Sequence, residues 1–222
     1  MTVYFISGLG AGKKAFQNVN LPAGYQAVYL DWITPVKNES LSEYARRFSE
    51  LINEEKFILI GLSFGGMMAS EIAKIKTPER VIIISSIAES GELPWYYRSA
   101  GKLNLHNLVP MNLLKGASIL KRLFTAETRE IKAVLNEYAR TADPFLVRWS
   151  LNAMLKWEHK GKLPCVVQLH GTADRLLPLK YTHPDFKIKK GGHLMVLNRS
   201  SEINKILEGI LLHQPITEAM TV

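Results

Sequence analysis

The sequence predicts an α/β fold: a mostly parallel sheet of about six strands, with helices on both faces and a helical insertion. Three observations predict it. Strand-like runs alternate with helix-period stretches over the first 87 residues. The run Phe57-Ile58-Leu59-Ile60 is apolar without alternation, as in a strand buried on both faces. From about Ala88 to Lys160 the strand pattern disappears, and it resumes at Leu163.

Taken in order, Thr2–Ile6 is a β-branched and aromatic run feeding the glycine-rich loop Ser7-Gly8-Leu9-Gly10-Ala11-Gly12-Lys13-Lys14. A phosphate-binding loop would need glycine where Ser7 stands and a hydroxyl where Lys14 stands. The dinucleotide fingerprint fails at Lys13, which occupies its third glycine position. What remains is a loop whose backbone can approach a ligand closely, as an oxyanion hole requires. Gln26–Leu30 reads as a second strand. Ser40-Leu41-Ser42-Glu43 has capping-box form, and Leu41, Tyr44, Ala45, Phe48, Leu51 and Ile52 then share one helical face. The apolar run at Phe57 follows, and Arg80–Ser86 is another buried strand.

The insertion opens with Pro94-Trp95-Tyr96-Tyr97 and reads as helical over Leu103–Phe124, Thr128–Tyr138 and Pro144–Trp157. The division expected is therefore a core of residues 1–87 and 161–222 with a helical cap of residues 88–160. Leu163–His170 resumes the sheet, and Asp185–Ile188 is the last strand. Ile203, Ile206, Leu207, Ile210 and Leu211 mark a closing amphipathic helix that Pro215 stops.

Composition narrows the partners. The formal net charge is +8, but basic residues are spread along the chain and often neighbour acids, which describes a solvated surface rather than a nucleic-acid site. No apolar run is long enough to span a bilayer, and Met1–Ile6 lacks the basic leader of a secretory signal. The lone Cys165 excludes an internal disulfide and fits a reducing compartment, so a cytoplasmic location is expected. No metal-ligand spacing or cofactor motif is present, and neither a metal nor a cofactor is expected.

The chemistry begins at Gly61-Leu62-Ser63-Phe64-Gly65-Gly66. Apolar residues return at helical spacing from Met67 to Ile75, so a strand turns abruptly into a helix with Ser63 at the corner. Such a corner brings backbone close to backbone, and Gly61 and Gly65 have no Cβ to collide. The helix N-terminus then faces any negative charge that develops at the serine. Asp174 and His193 also follow strands, giving the chain order Ser63, Asp174, His193, at the sheet edge where open α/β folds bind ligands. Glu89, at the preceding strand end, is an alternative acid. Ser85 and Ser86 also end a strand, where they can line the site without reacting.

With these residues the chain resembles the α/β-hydrolase superfamily, on Gly61–Gly66, on His170-Gly171-Thr172-Ala173-Asp174-Arg175-Leu176-Leu177-Pro178 and on Gly192-His193-Leu194. The resemblance covers nearly the whole chain. It implies that Ser63 is the nucleophile, His193 the general base and Asp174 its orienting acid, with backbone N–H groups of Leu9 and Phe64 forming the oxyanion hole. It also implies that His170 is structural; His106, His159, His183 and His213 have no supporting context. Four departures stand out. The family's first two strands are absent, the first loop begins Ser7-Gly8 where many members have His-Gly, Trp32-Ile33-Thr34-Pro35 replaces a common Pro-Gly-rich segment, and the helix after Pro178 is reduced.

The function expected is a serine hydrolase acting on an ester or thioester of a small, largely apolar acyl substrate. Trp95, Tyr96, Phe124, Phe145, Trp149 and Trp157 are available to line or shield the pocket, with Trp95, Trp149 and Leu177 as candidate substrate contacts. A serine at the elbow argues against the aspartate-dependent epoxide and haloalkane branches. The alternative is carbon–carbon cleavage of a ketone or carboxylate metabolite, with Arg98, Lys121, Arg122 and Arg148 available to hold a carboxylate. A binding protein without turnover is the third reading.

Overall fold

Six parallel strands form one sheet in the order β2-β1-β3-β4-β5-β6. The structure is a computed structural model that describes residues 1–9, 12–108, 110, 124 and 128–213. The strands are β1 (Thr2–Ile6), β2 (Gln26–Leu30), β3 (Phe57–Leu62), β4 (Arg80–Ile84), β5 (Val166–Gly171) and β6 (Phe186–Ile188). All pairings are parallel, with β1 flanked by β2 and β3 in register from Thr2 to Ile6. Parallel strands need helical crossovers, and the crossovers cover both faces.

The central strands β1, β3, β4 and β5 feed two cores because successive side chains point to opposite faces. Val3, Phe5, Ile58, Ile60, Ile82 and Ile84 pack with the C-terminal helices α6 (Met195–Asn198) and α7 (Ser200–Leu211). Tyr4, Leu59, Val81 and Ile83 pack with α1 (Leu41–Ser49) and α2 (Phe64–Ala73). Helix α1 starts as its sequence predicts. Ser40 Oγ accepts from the Glu43 N–H and the Glu43 carboxylate accepts from the Ser40 N–H, closing the capping box.

Between β4 and β5 lie α3 (Trp95–Lys102), α4 (Arg129–Thr141) and α5 (Pro144–Leu155). Of the expected Leu103–Phe124 helical stretch, Leu105–Leu108 is a short 3-10 helix and most of the rest falls outside the described residues, as do Lys121, Arg122 and the tail beyond His213. Helix α4 turns Ile131, Val134, Leu135 and Tyr138 into the first core, while Trp149 and Ala153 of α5 belong to the second. Two indoles tie α5 and the residues after it to the second face. Trp149 Nε1 donates to the Glu39 carbonyl at 2.7 Å, and Trp157 Nε1 donates to the buried Glu71 carboxylate of α2 at 2.7 Å. Among the described residues, no helix is long and apolar enough to cross a membrane.

Candidate active site

Because the strands are parallel, the loops after β1, β3, β5 and β6 all emerge at one edge of the sheet. Ser63 follows β3 directly and adopts φ 52°, ψ −122°, between the last strand residue and the first residue of α2. A non-glycine residue rarely holds a positive φ, and such strain persists only where the surroundings over-determine it. Here they do. Ser63 N–H donates to the Ile84 carbonyl at 2.9 Å, and a Cβ on Gly65 would lie 2.1 Å from the Ile6 carbonyl oxygen. A Cβ on Gly61 would lie 2.4 Å from the Gly65 carbonyl oxygen, so β1, β3 and α2 meet at the corner only with these glycines.

The loops after β5 and β6 are knitted to each other. Thr172 N–H donates to the Ile188 carbonyl and Ala173 N–H to the Gly191 carbonyl, each at 2.9 Å. Lys190 N–H donates to Thr172 Oγ1 at 2.8 Å. This stitching brings Asp174 to His193. Asp174 Oδ1 accepts from the Leu176 and Leu177 N–H groups at 2.9 Å each, which leaves Oδ2 to face His193 Nδ1 at 2.7 Å. His193 Nε2 lies 2.8 Å from Ser63 Oγ.

The proton positions follow from the partners. The Asp174 carboxylate accepts, so Nδ1 of His193 carries the proton and Nε2 is free to accept from the Ser63 hydroxyl. Burial pushes the Asp174 carboxyl up, but the charge and hydrogen bond of His193, the charge of His170 and the Leu177 N–H outweigh it and hold it below the usual range. His170 is buried beside this pair, and burial lowers its pKa, which favours the neutral ring. Its Nε2 donates to the Leu177 carbonyl at 2.7 Å and so braces the Asp174 turn from behind. The alternative acid, Glu89, instead accepts from the Gly161 N–H at 2.6 Å.

A cavity of about 180 Å³ opens beside Ser63 and His193. Among the described residues it is lined by Gly8, Leu9, Leu62 and Phe64 from the sheet edge, by Leu176 and Leu194 from the later loops, and by Phe124. Val134, Leu135 and Tyr138 of α4 and Val147, Ser150, Leu151 and Met154 of α5 close its far side. The Phe124 ring stands edge-on to His193 at 5.1 Å. Leu9 and Phe64 both line the cavity beside Ser63, and Phe64 carries the first N–H of α2, which has no intrahelical acceptor.

The three expected substrate contacts are not among the residues that line this cavity. Trp95 is 62% exposed and packs edge-on against Tyr96, away from the cavity. Trp149 is buried behind Phe64, ring edge to ring face, and its indole is committed to Glu39. Leu177 points into the second core, and its neighbour Leu176 lines the cavity instead. Of the other insertion aromatics, Tyr96 and Phe145 are exposed and Trp157 serves Glu71. Cavity-lining residues that sequence reading missed, among them Val134, Leu135 and Tyr138, carry a signal in their i, i+1, i+4 spacing on α4. That spacing marks an inward face without saying that the face meets a cavity. Among the described residues, no group of three His, Cys, Asp or Glu side chains is placed to hold a metal ion.

A sequence model of the alpha/beta hydrolase family matches residues 3–205, and the chain belongs to that family. Solved structures agree on the fold. An esterase from Thermogutta terrifontis is 16% identical, with a TM-score of 0.69 over 96% of this chain and 90% of that one. Est816, described as an N-acyl homoserine lactone degrading enzyme, is 20% identical, with a TM-score of 0.66 over 93% and 92%. A bromoperoxidase from Bacillus anthracis is 18% identical, with a TM-score of 0.60 over 95% and 90%. No curated protein sequence matches the chain.

Proposed function

We propose that the protein is a serine hydrolase cleaving an ester or thioester of a small, largely apolar acyl substrate. The observation that carries this is the hydrogen-bonded series Asp174–His193–Ser63 opening onto an apolar cavity. In this reading Ser63 Oγ attacks the acyl carbonyl carbon while His193 Nε2 takes its proton, and Asp174 stabilises the imidazolium. The oxyanion accepts from the N–H groups of Phe64 and Leu9, each such donor being worth roughly 3 kcal/mol in the transition state. His193 then protonates the departing alkoxide or thiolate, leaving an acyl-Ser63 intermediate that an activated water hydrolyses.

The cap proposed for residues 88–160 supplies the far wall of the acyl site through α4 and α5. Its character favours the ester reading over carbon–carbon cleavage of a carboxylate metabolite. No lysine or arginine occurs among the described lining residues, and Arg98 and Arg148 lie elsewhere. Two structural relatives point the same way by name, an esterase and a lactone-degrading enzyme.

The test is labelling with a fluorophosphonate probe together with turnover of p-nitrophenyl esters. Ser63 is expected to be labelled, and Ser63→Ala to lose labelling and reduce kcat by on the order of 10⁵ or more. Unlabelled Ser63 with undiminished ester turnover in Ser63→Ala rejects the proposal.

A further inference from the structure

We infer that Ser86 is a positioning residue that aims the oxyanion donor of Phe64, and that Gly66 is glycine to admit it. The inference rests on the hydrolase reading above. Ser86 is fully buried two residues past β4, and its hydroxyl donates to the Ser63 carbonyl at 2.6 Å. The direction of this bond is unambiguous, since a carbonyl oxygen only accepts.

The Ser63 carbonyl and the Phe64 N–H belong to one planar trans peptide, so they point in opposite directions and rotate together. Anchoring the carbonyl toward β4 therefore turns the Phe64 N–H toward the cavity. The Gly66 N–H also donates to this carbonyl, at 2.9 Å, but it belongs to the same helical turn and moves with the elbow. Ser86 is different: it follows the neighbouring strand β4 and ties the peptide plane to that edge of the sheet. Because Ser63 sits at positive φ, nothing in its own backbone preference holds that plane.

Ser86 is itself held. Its carbonyl accepts from Gln168 Nε2 at 3.0 Å, and the same amide donates to Glu92 Oε2 at 2.9 Å. The Glu92 carboxylate also accepts from the Ala88 N–H at 2.7 Å and the His183 N–H at 2.8 Å. Glu92, Gln168 and Ser86 are all buried, and their hydrogen bonds lead from β5 across the end of β4 to Ser63 at the end of β3. A Cβ on Gly66 would stand 2.5 Å from Ser86 Oγ, so this third glycine of the elbow makes room for the anchor.

The experiment compares wild type with Ser86→Ala on a short p-nitrophenyl ester and on an alkylboronic acid, which forms a tetrahedral adduct with the serine. Ser86→Ala is expected to lower kcat about tenfold to a hundredfold, less than outright loss of a donor. KM should stay within about twofold, while boronate affinity falls by the same factor as kcat/KM. If the alanine variant melts early, Ser86→Cys, a weaker donor that still fills the space, should give a smaller loss in the same two quantities. Wild-type kcat in Ser86→Ala, or a kcat loss with unchanged boronate affinity, overturns the inference. A wild type that neither turns over esters nor labels at Ser63 rejects the hydrolase reading itself, which is a separate result.

Discussion

Ser63 Oγ and His193 Nε2 lie 2.8 Å apart although 130 residues separate them in the chain. The contact exists because β3 and β6 are parallel strands of one sheet whose C-terminal ends share an edge. Asp174 completes it from β5, the strand beside β6.

Asp174 is expected to act through the tautomer of His193. Asn at this position keeps the size but can present an N–H to Nδ1, which would place the ring proton on Nε2, facing Ser63. Asp174→Asn should lower kcat by roughly 10⁴ with little change in fold. Ester kinetics and a thermal melt check this, and a loss smaller than tenfold contradicts the assignment.

Stability should fall with acid below neutrality. Burial pushes the imidazoles of both His159 and His170 below their ordinary 6.5, so the unfolded chain binds more protons than the folded one just below that pH. Their contribution is complete above about pH 6.5 and declines as pH drops beneath it. Asp174, held below its ordinary 3.8, contributes in the same sense at lower pH; its share is present above that value and lost as pH falls through the folded-state pKa. Melting temperatures at pH 8, 7, 6 and 5 should be level over the first two and fall over the last two. A level profile to pH 5 contradicts this.

Acyl length should be set by the space between the sheet edge and helices α4 and α5. The cavity of about 180 Å³ is small, so turnover should peak for short to medium acyl chains and fall for long ones. Met154→Ala should move the optimum toward longer chains, and Leu151→Trp toward shorter ones, each methylene changing kcat/KM by about 1–3 kcal/mol. A p-nitrophenyl ester series measures it, and an optimum unmoved in both variants excludes this wall.

Ser40→Ala should cost about 1 kcal/mol by opening the capping box of α1, with kcat unchanged, since Ser40 lies away from the cavity. Chemical denaturation and ester kinetics together separate the two effects.

Gly65→Ala should be far more damaging than its one added methyl suggests. The new Cβ would meet two backbone carbonyls of the β1 end, those of Ile6 and Ser7, which cannot rotate aside. A cost of about 3 kcal/mol or loss of soluble protein is expected, and an unaltered denaturation midpoint would show that the elbow tolerates a side chain.

Much of the molecule was legible in the residues. The alternation of strands and helices gave the parallel sheet, and Gly61-Leu62-Ser63-Phe64-Gly65 marked the corner, because that geometry admits few side chains. The order Ser63, Asp174, His193, each after a strand, points to three groups at one edge of the sheet. The cavity wall was not legible. Trp95, Trp149 and Trp157 read alike as insertion aromatics, yet one is exposed and two spend their indole N–H groups on Glu39 and Glu71. Periodicity identifies the inward face of α4, but whether Leu135 meets packed core or open space depends on how helices stack.

The sequence by itself therefore determined the fold class and the order in which Ser63, Asp174 and His193 follow their strands, through local rules: strand period, turn sterics, chain order. The family came from the motifs that carry the resemblance. Only the tertiary structure decided which side chains enclose the cavity, how the Asp174 and His193 loops are stitched together, and that Ser86 anchors the carbonyl of Ser63. Those relations join strands distant in sequence, and packing between such elements leaves no periodic trace in the chain.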